Sequence, residues 1–142
     1  MASGVYNQFK AELMKGTYDL DGADHTVKVA LLNNSHSFNA DHDGWSAVSA
    51  NEVSGTGYTA GGQALASKAV TVDDTDDEGV FDAADITWAS STITAYHAVI
   101  YDDTPTSPAD PLIASIDFGG AQTSTNGNFT IAWAAEGIIN IN

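Results

Sequence analysis

Thr92-Ile-Thr-Ala-Tyr-His-Ala-Val-Ile-Tyr-Asp102 is the stretch that decides the fold. It is the longest run rich in β-branched and aromatic residues, it holds no Gly or Pro, and it reads as a strand. Its neighbours repeat the theme. Upstream, residues 26–33 alternate Val27, Val29 and Leu31 against Lys28, Ala30 and Leu32, the period-two pattern of a strand. Residues 65–73 alternate around Ala69, Val70 and Val72, and residues 80–82 and 85–89 give two shorter strands. Downstream, Pro105, Pro108 and Pro111 all fall in 103–111, a loop between strands. Residues 112–118 then form a strand, the Asn126-Gly127 turn signal precedes another at 128–134, and 137–141 is a short terminal one. About seven strands separated by turn signals predict a mainly β chain, an antiparallel β-sandwich or jelly-roll-like domain.

One helix is predicted, over residues 3–16. Ser3 is placed to cap it, Val5, Phe9 and Leu13 form its apolar stripe with Tyr6 alongside, and Gly16 ends it. Lys10 and Lys15 lie toward its C-terminal end, where cations suit the helix dipole. Residues 33–44 read as a loop, and 46–53 as a short helix with Ser49 and Glu52 as a partial capping box. The whole is a single domain, 1–142, with the helix at 3–16 and a β-rich body at 26–141. No linker or internal repeat divides it.

Charge restricts the partners. The 142 residues carry 19 acids against four lysines (Lys10, Lys15, Lys28, Lys68) and no arginine, a formal net charge of −15. After Lys68 there are twelve acids and no base. Phosphate backbones and anionic membranes repel such a chain, so neither nucleic acid nor a membrane surface is an expected partner. The lack of cysteine removes disulfides, thiolate metal sites and thiol nucleophiles. The Met1-Ala-Ser-Gly4 start has no basic n-region or apolar h-region of a secretory signal, and no apolar run nears the ~18 residues of a membrane span.

Several constellations are candidates for chemistry. Asp74, Asp76, Glu78, Gly79, Asp82 and Asp85 occupy positions 1, 3, 5, 6, 9 and 12 of a twelve-residue window, the spacing of a calcium loop. Its flanks read as strands rather than helices, and position 12 is Asp rather than the longer Glu; the competing reading is a solvated acidic turn. Asp19, Asp21 and Asp24 around Gly22 read as a turn. His36, Asp41, His42 and Asp43 share one loop and could bind a divalent metal, but lack a third histidine or a strand-anchored ligand. His97 reads as a packed strand residue and His25 as a loop residue. There is no Gly-x-Ser-x-Gly elbow, and residues 54–62 lack the Lys-Ser/Thr ending of a phosphate loop, so no enzyme is expected and catalytic residues are none. Trp45, Trp88 and Trp133 read mainly as core rather than as a sugar-stacking platform.

Glu52-Val-Ser-Gly-Thr-Gly-Tyr-Thr-Ala-Gly-Gly-Gln-Ala-Leu65, Val80-Phe-Asp-Ala-Ala-Asp-Ile-Thr-Trp88, the run 93–101, the 6–15 helix and Phe129-Thr-Ile-Ala-Trp133 together resemble a family of small virion proteins of tailed bacteriophages. The resemblance runs from about residue 5 to 141. It implies a capsid decoration (cement or auxiliary) protein on the outer surface of the head, assembled in the host cytoplasm and tying major capsid subunits together as a trimer. Shell contact is expected at Lys10 and Lys15 and at the glycine loop 54–62. The other reading is a tail or fibre adhesion module that binds a host glycan.

Overall fold

The computed structural model describes residues 3–142, so the Met1-Ala2 part of the N-terminal reading lies outside the described residues. Alternating apolar residues build two antiparallel sheets around shared cores. The elements are β1 (Gly4–Val5), α1 (Asn7–Lys15), β2 (Val27–Leu32), β3 (Gln63–Ala64), β4 (Ala69–Asp73), β5 (Glu78–Asp82), β6 (Ile86–Asp102), β7 (Leu112–Ile131) and β8 (Ile139–Ile141). The large sheet runs β1-β7-β6-β2-β3 and the small one β4-β5-β8. The chain is thus mainly β, sandwich-like, with one helix near its start.

The 92–102 stretch lies at the centre of the large sheet, between β2 and β7. Its period-two pattern gives each face a core. Val29, Leu31, Ala98, Ile100 and Ala114 pack with Phe9 of α1, with Tyr18 and Leu20, and with Phe81 and Ile139 of the small sheet. Ala30, Leu32, Val99, Tyr101 and Leu112 face the other way and are covered by Tyr6, Val48 and Trp45. Burying each such Leu, Ile or Val contributes about 1.5–3 kcal/mol, an upper figure given a compact unfolded chain.

The structure corrects several boundaries. The strands expected at 85–89 and 92–102 are one strand, β6. Ser90 adopts φ 50° and kinks it, and buried Ser91 bridges Ser124 Oγ at 2.7 Å and the Gly127 carbonyl at 3.0 Å. The strands expected at 112–118 and 128–134 likewise fuse into β7. Asn126 has the positive φ of a turn residue (47°), but Gly127 lies opposite Ser91 and the chain passes through as a bulge. The 65–73 strand begins only at Ala69, because Ser67 at φ 53° turns the chain from the large sheet to the small one. The helix starts at Asn7, with Tyr6 rather than Ser3 before it. Ser3 instead donates its N–H to the Ser115 carbonyl, and its Oγ accepts the Asp117 N–H, both at 2.8 Å, as β1 pairs with β7. The helix expected at 46–53 is two 3-10 turns, Trp45–Ala47 and Ser49–Asn51. Glu52 does not close a capping box: its Oε1 accepts the Tyr58 hydroxyl at 2.7 Å and the Gly61 N–H at 2.6 Å.

Candidate functional site

The small sheet presents an apolar surface. Its strands set two cross-strand rows on one face, Val70–Phe81–Ile139 and Val72–Gly79–Ile141. Phe81 and Ile139 are buried against the large sheet, whereas Val72 is 78% exposed, Ile141 53% and Val70 51%. Gly79 adds no side chain between Val72 and Ile141, and a Cβ placed there would meet nothing within 4 Å. Neither crowding nor positive φ demands this glycine, and it leaves a flat floor between two exposed apolar residues. Alongside lies a groove of ≈ 230 Å³ between α1 and this sheet, with Phe9, Leu13, Tyr18, Phe81, Ile139 and Ile141 among its lining. Met14 stands 84% exposed on the same helix. Apolar residues grouped in this way mark an interaction surface far better than scattered ones do. Sequence reasoning missed the surface because Val70 and Val72 alternate as core residues do. Only their position in an edge strand, β4, separates them from the core.

The surface has a charged frame. Asp19 and Asp21 line the groove, and Asp21 accepts the Val70 N–H at 2.9 Å. That bond, together with Asp19 and Lys68, holds the Asp21 carboxyl below its usual range. Of the four lysines, Lys15 pairs with Glu12 (2.9 Å), Lys28 with Asp103 (2.5 Å), and Lys68 donates to the Gly22 and His25 carbonyls. Lys10 is exposed on α1.

The acidic window 74–85 does not wrap as one loop. Residues 74–77 form the tip of the β4–β5 hairpin, and Glu78–Asp82 is already strand. Asp76 and Glu78 meet Asp73, one residue outside the calcium template, with carboxylate oxygens within 4.8 Å of one another. Asp73 Oδ1 also accepts the Thr75 and Asp76 N–H groups, fixing the tip. Asp74 and Asp82 line the same shallow surface as these three. Asp82 sits at the far end of β5, with a buried Oδ1 lacking a hydrogen-bond partner. Asp85 leaves the group: its Oδ1 accepts the Trp133 N–H at 2.9 Å.

His36 and His97, separate in sequence, come together. The 33–44 loop crosses the Tyr6 side of the large sheet, where Phe38 lies 5.1 Å from the Tyr6 ring and the Ala40 carbonyl accepts the Asn7 N–H. It carries His36 to 5% exposure, edge-on to His97 of β6 with ring centroids 5.1 Å apart. His36 Nε2 is 3.4 Å from Ser115 Oγ, and His97 Nδ1 is 3.7 Å from Asp117 Oδ1. Burial, with the His97 and His42 imidazoles nearby, pushes the His36 pKa down to about 4. Asp41 instead accepts a hydrogen bond from the Asn7 side chain at 2.8 Å, and the Asp43 carbonyl accepts the Leu112 N–H. His25 pairs with fully buried Asp102 at 2.5 Å and ties its loop to the end of β6.

The glycine loop 54–62 is tied to the large sheet through Tyr58, Gly61 and Gly62, while residues 54–57, 59 and 60 stay exposed. Tyr58 Oη accepts the Leu31 N–H at 3.0 Å, and Tyr101 donates to the Gly61 carbonyl at 2.6 Å. A Cβ on Gly62, whose φ is 76°, would lie 2.0 Å from the Val29 carbonyl oxygen. The tryptophans do not gather. Trp88 is core, Trp45 stacks on Tyr101 on the other side of the large sheet, and half-buried Trp133 donates to the Ala84 carbonyl. No helix among the described residues is long and apolar enough to cross a membrane. Comparison with protein-family models, curated proteins and solved structures finds no match.

Proposed function

We propose that this chain is a non-catalytic docking module, a capsid decoration protein that binds the outer surface of an assembled phage head and stabilises contacts between major capsid subunits. The observation that carries docking is the exposed Val70, Val72 and Ile141 surface beside the α1 groove, on a chain otherwise built to repel. The sequence resemblance to tailed-phage virion proteins supplies the identity of the larger assembly. The acidic frame favours a shell surface that offers an apolar segment flanked by Lys or Arg. The same charge disfavours a position facing packaged DNA. Copies grouped as a trimer would place three such surfaces on neighbouring shell subunits.

This reading shifts the expected contact. The glycines of 54–62 serve close backbone approach within the fold, and the exposed apolar residues Met14, Val70, Val72 and Ile141 put the shell-facing side at α1 and the small sheet instead. Adding purified protein to heads that lack it should give saturable, stoichiometric occupancy. Val72→Asp, at an exposed site outside both cores, should abolish that occupancy and leave the melting temperature within about 2 °C of wild type. Undiminished binding by Val72→Asp refutes the assignment of this face.

A further inference from the structure

We propose that copies of this chain associate with one another through the outer edge of β7, within a charge-free strip over residues 118–135. The argument is independent of the small-sheet face and of what that face docks on. It starts from where the acids are missing. β6 has 17 residues and β7 has 20, yet together they hold two of the 19 acids, Asp102 and Asp117. Asp102 is fully buried and paired with His25. Between Asp117 and Glu136 no side chain is charged, although Gln122, Thr123, Thr125, Asn128 and Thr130 are all exposed.

The strip also carries an open strand edge. β1 covers β7 only at Ala114 and Ser115, and Ser3 Oγ accepts the Asp117 N–H just beyond. Past Asp117, among the described residues, no strand lies on that side of β7. Soluble proteins keep such edges short or guard them with charge, because an open ladder is a template for another chain. The other edges follow that rule. β1 and β3 are two residues long and β8 three. β4 is guarded, since Asp21 accepts its Val70 N–H and the acids of the hairpin tip follow it directly. The β7 edge is longer and has no charged guard. Its bulges curve the strand, so that Ile116 and Phe118 on one stretch and Phe129 and Ile131 on another line a single trough of ≈ 540 Å³, with Gln122 and Asn128 beside them.

Charge selects the occupant. A basic partner gains most from the acids, which lie elsewhere. A surface without charge favours a partner that is itself acidic, because like charges pressed together cost affinity. A second copy carries the same −15, so the acid-bearing surfaces repel it and this strip does not. Interface cores are depleted in charge for the same reason. Apposed strips would give the outward backbone groups of β7 partners and cover the Phe118 and Phe129 trough.

The test is sedimentation velocity of the full chain in about 150 mM sodium chloride, at protein concentrations up to about 0.2 mM. The expected result is reversible association of the wild type. Gln122→Glu and Asn128→Asp are each a near-isosteric gain of one negative charge. Each should raise the midpoint concentration at least tenfold and leave the far-ultraviolet spectrum unchanged. Val72→Asp adds the same charge on the small-sheet face and should leave association as it is, so failure of head docking and failure of self-association are read separately. Hydrogen exchange of amides within 122–131 should be slower in the associated wild type than in Gln122→Glu, with 69–73 alike in both. A wild type that stays monomeric throughout, association undiminished in either strip variant, association lost in Val72→Asp, or protection confined to other segments overturns the proposal.

Discussion

Four buried or nearly buried tyrosines show how single residues set the chain's response to alkali. Burial raises the phenol pKa of Tyr6 and Tyr18 to about 12, and raises those of Tyr58 and Tyr101 further. At Tyr58 the adjacent Glu52 carboxylate adds to the rise, and at Tyr101 the Asp103 carboxylate does. In the unfolded chain a phenol releases its proton near pH 10. Below that pH both states keep their protons and the phenols contribute no pH dependence. Between about 10 and 12 the unfolded state loses protons first, so stability falls as pH rises. Absorbance at 295 nm during alkaline titration should therefore rise late and cooperatively, together with loss of the far-ultraviolet β signal. A simple titration centred near pH 10 with retained structure would contradict these burial assignments. Gly62 makes a related point about single residues: its role became visible only when Val29 was placed against it, whereas the density of glycine in 54–62 already marked a close approach or a loop.

At the scale of elements, the β4–β5 hairpin concentrates five acids in residues 73–78, three of them with oxygens within 4.8 Å of one another. Like charges this close repel across a short turn. Asp76→Asn should raise the melting temperature in low salt without divalent ions, read by calorimetry, and a fall would show that the carboxylate is needed by the tip. The elements also show how far local sequence reaches. The period-two runs at 26–33 and 92–102 located the sheet centre, and the three prolines located the β6–β7 loop. Asn126-Gly127 misled because a positive φ at Asn126 serves a bulge as well as a turn, and the choice depends on Ser91 across the sheet. Ser3 misled because its capping chemistry was spent on the Asp117 N–H. Of the candidate sites, the His36 and His42 loop was legible, but its neighbour His97 was not, since a pairing 61 positions apart is written only in the fold. The calcium template found Asp76 and Glu78 but missed Asp73, because strand β5 straightens residues that the template requires to curl.

For the whole molecule, a formal charge of −15 on 142 residues opposes the compact state through self-repulsion. Three of the four lysines are engaged by Glu12, Asp103 and the Gly22 and His25 carbonyls, so little positive charge offsets the acids at the surface. Raising sodium chloride from 10 to about 200 mM, which shortens the screening length to below 10 Å, should raise the melting temperature. A midpoint indifferent to salt would show that the charge acts on solubility alone. The same repulsion makes the apolar face of the small sheet notable, because it is there that the molecule offers surface a partner can bury. The central claim is that this face docks on an assembled head, and a cryo-electron-microscopy reconstruction of heads saturated with the protein tests it most directly. The reconstruction should show stoichiometric density on the outer shell, with α1 and the Val70, Val72 and Ile141 face turned toward the capsid subunits. A few copies at the tail, or outer-shell density with that face turned to solvent, would contradict the claim.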